Sequence, residues 1–116
     1  EEGILQTIYF DYDKSEVRAD QRAKLQANAQ FLRDNDHFRL VVGGHCDERG
    51  TREYNLALGE RRASATMQYL VSLGVPADRI DIISYGEENP AATESNDAAW
   101  AQNRRAQFQA IDSNDR

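Results

Sequence analysis

The 116-residue sequence contains a single cysteine, Cys46, so no disulfide can form within the chain and stability has to come from packing. Only two prolines occur, Pro76 and Pro90, and neither interrupts a stretch of helical pattern. No apolar run approaches the length needed to span a bilayer, and no signal-peptide pattern opens the chain. Positive charge is also scarce: 14 Lys and Arg stand against 20 Asp and Glu, a net charge of −6. Nucleic acid is held by clustered Lys and Arg that release counterions. Here the basic residues are outnumbered and interleaved with acids, which argues against that partner and against direct adhesion to an anionic membrane surface. An acidic or zwitterionic ligand is not excluded, because one well-placed Arg can bind a carboxylate inside an acidic protein.

What is present suits one ordinary globular domain, 1–116, of 40% hydrophobic and 29% charged residues. The abrupt start at Glu1-Glu2-Gly3 suggests a domain cut from a longer precursor, with any targeting signal or anchor upstream. Residues 4–10 are rich in Ile, Tyr and Phe and predict a strand, followed by a polar turn at 11–15. Residues 20–32 lack Gly and Pro and carry Leu25, Ala29 and Leu32 at helical spacing. Residues 38–42 predict a second strand, ended by Gly43-Gly44, with a polar loop over 45–52. A long helix follows over 53–73 and stops at Gly74 and Pro76. Residues 80–85 predict a third strand, 87–96 a loop, 97–102 a short helix, 105–111 a last strand and 112–116 a polar tail. The order β-α-β-α-β, a long loop, then β implies an α/β sheet with helices packed on it.

The residue that fits worst is Arg62. At about 100° per residue, Leu58, Ala65, Thr66, Tyr69 and Leu73 share the face of the long helix that should meet the sheet. Arg62 lies near the middle of that stripe, Asn55 lies one turn before it, and Arg61 lies toward its edge. A guanidinium in an apolar stripe is costly unless paired. It either snorkels out or joins a structural ion pair, or it marks a pocket where the helix meets the loop after the second strand. Asp47 in that loop is the best partner. Ligand sites in layered α/β folds lie beyond strand ends. A carboxylate and a guanidinium facing one cavity form a receptor for a zwitterion.

His45-Cys46-Asp47 offers three metal ligands in a row. Neighbours on an extended segment point to alternate faces, and the other histidine, His37, falls at the far end of the strand. We therefore expect no metal site, and the same geometry disfavours a Cys46–His45 nucleophilic pair. Cys46 is expected to be a small, partly buried hydrophobe. Gly43-Gly44 is too short for a phosphate loop and lacks its Lys. Trp100 and Tyr85 could form a sugar-stacking platform, but packing under the last loop or in the core is favoured. One of Arg104 and Arg105 is expected near the binding edge.

The run from Gly44 to Ala63, with Asp47-Glu48-Arg49-Gly50-Thr51 and Leu58-Gly59-Glu60-Arg61-Arg62-Ala63, resembles the signature of the OmpA C-terminal-like family. In detail it is similar to the peptidoglycan-associated lipoprotein (Pal) branch. Tyr9-Phe10-Asp11-Tyr12-Asp13, Ser84-Tyr85-Gly86-Glu87-Glu88-Asn89-Pro90 and Asn103-Arg104-Arg105-Ala106 match its other motifs in order. The resemblance implies a mixed four-stranded sheet with helices on one face, no enzymatic activity and no cofactor. It implies noncovalent binding of peptidoglycan through the diaminopimelate of the stem peptide, anchoring the outer membrane to the wall within the Tol-Pal system. Asp47 and Arg62 map onto the ligand-binding pair, Asn55 onto a support for the loop, Tyr12 and Asp13 onto the opposite wall, and Leu58 beneath. It further implies a periplasmic, monomeric domain, tied to the outer membrane by an upstream lipid anchor, with the propeller protein TolB as a partner competing for the same surface. Rival readings are the wall-binding domain of an OmpA-type porin or of a flagellar stator protein, or chiefly a protein-interaction module. Two positions depart from the pattern: Cys46 replaces Thr or another small residue, and Gly43 replaces Glu or Gln.

Overall fold

A computed structural model describes residues 5–113. Its elements are β1 (Ile8–Tyr9), α1 (Arg22–Asp34), β2 (Phe38–His45), α2 (Arg52–Ser72), β3 (Ile80–Gly86), α3 (Asp97–Asn103) and β4 (Arg105–Asp112). The strands form one mixed sheet in the order β1-β4-β2-β3, with β2 and β3 parallel and β4 antiparallel to both β1 and β2. Helix α2 is the crossover that a parallel β2–β3 pair requires. The expected order of elements and the mixed four-stranded sheet are both present.

Strand alternation sorts the sheet into two faces. Leu40 and Val42 of β2, Ile80 of β3 and Ala106 and Phe108 of β4 pack with Leu25, Ala29 and Leu32 of α1 and with Ala63 and Leu70 of α2. On the other face, Val41, Gly43 and His45 of β2 and Gln107 and Gln109 of β4 line a groove. The two faces lead to two different sites.

The sequence pattern ended β2 at its glycine pair, but the strand continues through both glycines to His45. Gly44 allows a close approach rather than a turn. A Cβ there would lie 1.8 Å from the carbonyl oxygen of Gly59, and a Cβ on Gly59 would lie 2.3 Å from Ser84 Oγ. The two glycines let α2 rest directly on β2 and β3, which brings Asn55, Leu58 and Arg62 over the strand ends. Thr51 caps α2 by accepting from the Tyr54 amide at 3.0 Å. The stripe that α2 buries is rotated slightly from the expected one: Asn55, Leu58, Gly59, Arg62, Ala63, Thr66 and Leu70 are buried, while Ala65, Tyr69 and Leu73 are only half-buried.

Strand β1 is shorter than the run 4–10 suggested, and residue 4 lies outside the described residues. Backbone donors on its outer side go to side chains instead of a further ladder: the amide of Gln6, before the strand, donates to Asn28 Oδ1 at 2.8 Å, and that of Tyr9, within it, to Gln21 Oε1 at 3.0 Å. At the other end, β4 takes in Asp112, the first residue of the expected polar tail, which pairs with Phe38. Residues 114–116 of that tail lie outside the described residues.

Candidate functional site

Beyond the C-terminal end of β2, the loop before α1, the turn over 46–50 and the first half of α2 enclose a cavity of about 150 Å³. All six residues singled out from the sequence, Tyr12, Asp13, Asp47, Asn55, Leu58 and Arg62, line it.

Arg62 is 1% exposed and does not snorkel. Its Nε donates to the Lys14 carbonyl at 2.8 Å, Nη1 to the His45 carbonyl at 2.9 Å and Nη2 to the Asp11 carbonyl at 3.1 Å. The guanidinium thus ties the loop before α1 to the end of β2, with the Phe10 ring 5.3 Å away. Three of its five N–H groups are used in this way, leaving one on each terminal nitrogen uncommitted. Burial pulls the group below the ordinary arginine range, partly opposed by Cys46 and Asp47.

Asp47 does not pair directly with Arg62, as the sequence had suggested. Its nearest cation is Arg49, two residues on, whose backbone amide and Nε donate to Oδ1 at 3.0 and 3.1 Å and whose Nη2 donates to Oδ2 at 2.9 Å. Arg104 Nη1 stands 3.8 Å from Oδ2. Burial alone would raise the Asp47 carboxyl. The hydrogen bonds and charge of Arg49, with the charge of Arg104, outweigh it and hold the group below the ordinary aspartate range. The two charges share the cavity without touching, because Arg62 is taken by main-chain carbonyls and Asp47 by a tight local turn.

Asn55 holds that turn. Its Nδ2 donates to the carbonyls of Asp47 at 3.3 Å and Arg49 at 3.1 Å and to Glu87 Oε1 at 2.5 Å. Asp13 has a φ of 58°, the left-handed region that Asp tolerates better than most residues. Its carboxylate accepts from the Tyr54 hydroxyl, which fixes the opposite wall to α2. Cys46 is buried, and its thiol donates to the Asn55 carbonyl at 3.2 Å. It therefore replaces the hydroxyl bond that a Thr could make. Burial pushes the thiol up to about 11.

Arg49 and Tyr54 are members of the site that sequence reasoning missed, and Arg49 matters more to its charge. The Arg49 guanidinium lies 4.0 Å from the Tyr12 ring centroid and 4.1 Å from that of Trp100, forming a cation–π sandwich at the rim of the cavity. Trp100 is thus not a core residue, and its Nε1 donates to Glu48 Oε2 at 2.9 Å. Nor is Tyr85, which stacks on His45 on the far face of the sheet. Arg104 is the arginine near the binding edge, and Arg105 faces the groove on the far side. The signal available was for the turn alone, since an Asp at a strand end can accept from the backbone amide two residues on, as it does here from Arg49.

Residues 9–104 match the OmpA family. The chain belongs to the OmpA family. Within that family its relatives lie in the Pal branch that the motifs resembled. It is 54% identical over 99 residues to the peptidoglycan-associated lipoprotein of Rhizobium meliloti, covering 85% of this chain and 56% of that protein. It is 47% identical over 102 residues to the protein of the same name from Pseudomonas aeruginosa, covering 88% of this chain and 60% of that one. The chain thus spans little more than half the length of these relatives. The crystal structure of the peptidoglycan-associated lipoprotein from Burkholderia pseudomallei superposes with a TM-score of 0.88 at 42% identity, covering 91% of this chain and 90% of that one. The C-terminal domain of Helicobacter pylori MotB gives 0.85 at 19% identity, covering 92% and 84%, a likeness of fold alone.

Proposed function

We propose that this domain binds peptidoglycan without covalent chemistry, by gripping the diaminopimelate residue of the stem peptide. The observation that carries the reading is opposite charge around one small cavity: Asp47, and Arg62 with two N–H groups uncommitted. The side-chain end of diaminopimelate carries an ammonium and a carboxylate on one carbon. Arg62 donates to that carboxylate with two hydrogen bonds, and Asp47 accepts from the ammonium. Tyr12, Asp13 and Leu58 shape the cleft, and Asn55 holds the turn. Asp47 already accepts three hydrogen bonds from Arg49, so an incoming ammonium takes over part of the acceptor capacity that Arg49 fills. Wall binding is in keeping with the name of the lipoproteins to which the chain is similar.

On the same reading the domain is an anchor rather than an enzyme. A lipid group upstream ties it to the periplasmic face of the outer membrane, and its grip on the wall supports envelope integrity and division within the Tol-Pal system. TolB is proposed as a competing partner. Tyr12 and Tyr54, 56% and 45% exposed, flank the cavity, and exposed aromatics of this kind serve as interface anchors. Cosedimentation with purified sacculi tests wall binding. The parent domain should pellet, and Asp47→Asn should remain in the supernatant with its thermal melt preserved. An Asp47→Asn variant that pellets like the parent would overturn the reading.

A further inference from the structure

The groove on the helix-free face of the sheet has a volume of about 320 Å³ and is lined by Gly43, His45, Tyr85, Asn89, Arg105 and Gln107, over Val41. Three features set it apart. Arg105 is 6% exposed, yet no carboxylate lies within ion-pairing distance of it among the described residues. Its Nε donates to Gln107 Oε1 at 2.9 Å, Nη2 to the Asn89 carbonyl at 2.9 Å and Nη1 to the Asn103 carbonyl at 3.4 Å, which leaves one N–H on each terminal nitrogen. His45, 5% exposed, carries at Nδ1 the only buried side-chain polar atom without a hydrogen-bond partner among the described residues. An orphaned buried polar atom in an otherwise satisfied interior calls for a partner. Finally, the groove depends on a missing side chain: a Cβ on Gly43 would lie 2.9 Å from Tyr85 Cε2 and 3.3 Å from His45 Nε2. Gly43 lets Tyr85 lie across β2 and stack on His45 with ring centroids 4.9 Å apart.

We infer that this groove is a second binding site, independent of the strand-end cavity, which takes the free carboxylate end of a short peptide. No acidic residue lines it, so its single buried cation is left for an anion. Two N–H groups on one planar guanidinium match the two oxygens of a carboxylate. A phosphate dianion calls for a second cation, and His45 does not supply one, because burial and the charge of Arg105 depress the ring to about 4 and keep it neutral. The amides of Asn89, Gln107 and Gln109 offer both donors and acceptors for a peptide group. Val41 gives the groove an apolar floor for a small side chain.

Residue-resolved NMR titration tests this with N-acetyl-alanine, using N-acetyl-alaninamide as the neutral control. The acid should produce saturable shifts at Tyr85, Gln107, Gln109 and the Arg105 Nε–H, and the amide should not. Gln107→Glu places a carboxylate where Oε1 already meets Arg105, so it should weaken the acid at least tenfold while leaving the protein folded. Shifts confined to residues around Arg62 and Asp47, equal responses to acid and amide, or undiminished binding by Gln107→Glu would each overturn the proposal. Because the reporters lie on the far face of the sheet, failure here leaves the wall-binding reading untouched, and the converse also holds.

Discussion

Arg62 and Arg105 are held in the same manner and stand in opposite company. Each is nearly fully buried, donates three N–H groups to neutral oxygens and keeps one on each terminal nitrogen. The strand-end cavity around Arg62 also contains Asp47 and Asp13, whereas the groove around Arg105 contains no acid. A buried guanidinium that is bonded only to neutral groups and also faces a cavity keeps its charge for a ligand, and the neighbouring acids decide the ligand's class. With Asp47 present the cavity suits a zwitterion, and without an acid the groove suits an anion. A third arginine, Arg79, shows the structural alternative. It donates to the carbonyls of Leu32, Asn35 and Phe38, where it closes the end of α1 and lines neither site.

The largest effect should come from the platform that both sites share. Gly44→Ala forces a Cβ into the Gly59 carbonyl and should destabilise the fold by about 3 kcal/mol or more. Denaturant melts would read this, and a near-neutral result would mean that α2 can lift off the sheet at little cost. Asp47→Asn removes the acid from the first site alone and should weaken diaminopimelate binding by about 2–5 kcal/mol, read by calorimetry. A much smaller loss would put the binding energy elsewhere.

His45 sharpens the account of the groove. Its ring is neutral in the folded protein down to about pH 4, against an ordinary value of 6.5. Between those values the unfolded chain binds the proton and the folded one does not. Stability is therefore complete above about pH 6.5 and falls as the pH drops toward 4, by on the order of 3 kcal/mol. Protein in which the His45 ring titrates near 6.5 by NMR would show that the ring is neither withdrawn from water nor exposed to the charge of Arg105. The smallest effect concerns Cys46. Buried and held up near 11, its thiol should react with iodoacetamide far more slowly than a free cysteine at neutral pH. Fast alkylation would mean that the turn over 46–50 opens readily.

Much of this was legible in the sequence, for specific reasons. Arg62 stood out because helical periodicity places it in an apolar stripe, where a guanidinium needs a purpose. The end of α2 was legible because Gly74 and Pro76 stop a helix, and Gly74 does take the positive φ of such a stop. The end of β2 was not, since glycine is the same letter whether it makes a turn or admits a helix backbone, and Gly44 does the latter. The length of β1 was hidden because Asn28 and Gln21, distant in sequence, take the donors that a ladder would have used. The turn after Asp47 could be read from the sequence, but the direction of the Arg49 side chain could not, because it is set by the rings of Tyr12, in the loop before α1, and Trp100, in α3. The stacking of Tyr85 on His45 arises at a register shift between Gly44 and His45, which no local pattern announces.

The central claim is that Asp47 and Arg62 together form a zwitterion receptor. It is tested most directly by calorimetric titration with a soluble muropeptide carrying diaminopimelate, beside one carrying lysine at that position. Lysine keeps the ammonium and lacks the second carboxylate. Binding to the diaminopimelate form, with binding to the lysine form absent or at least tenfold weaker, is the predicted result. Equal binding to both, or binding to neither, would contradict it and leave Arg62 as a tie between the loop before α1 and the end of β2.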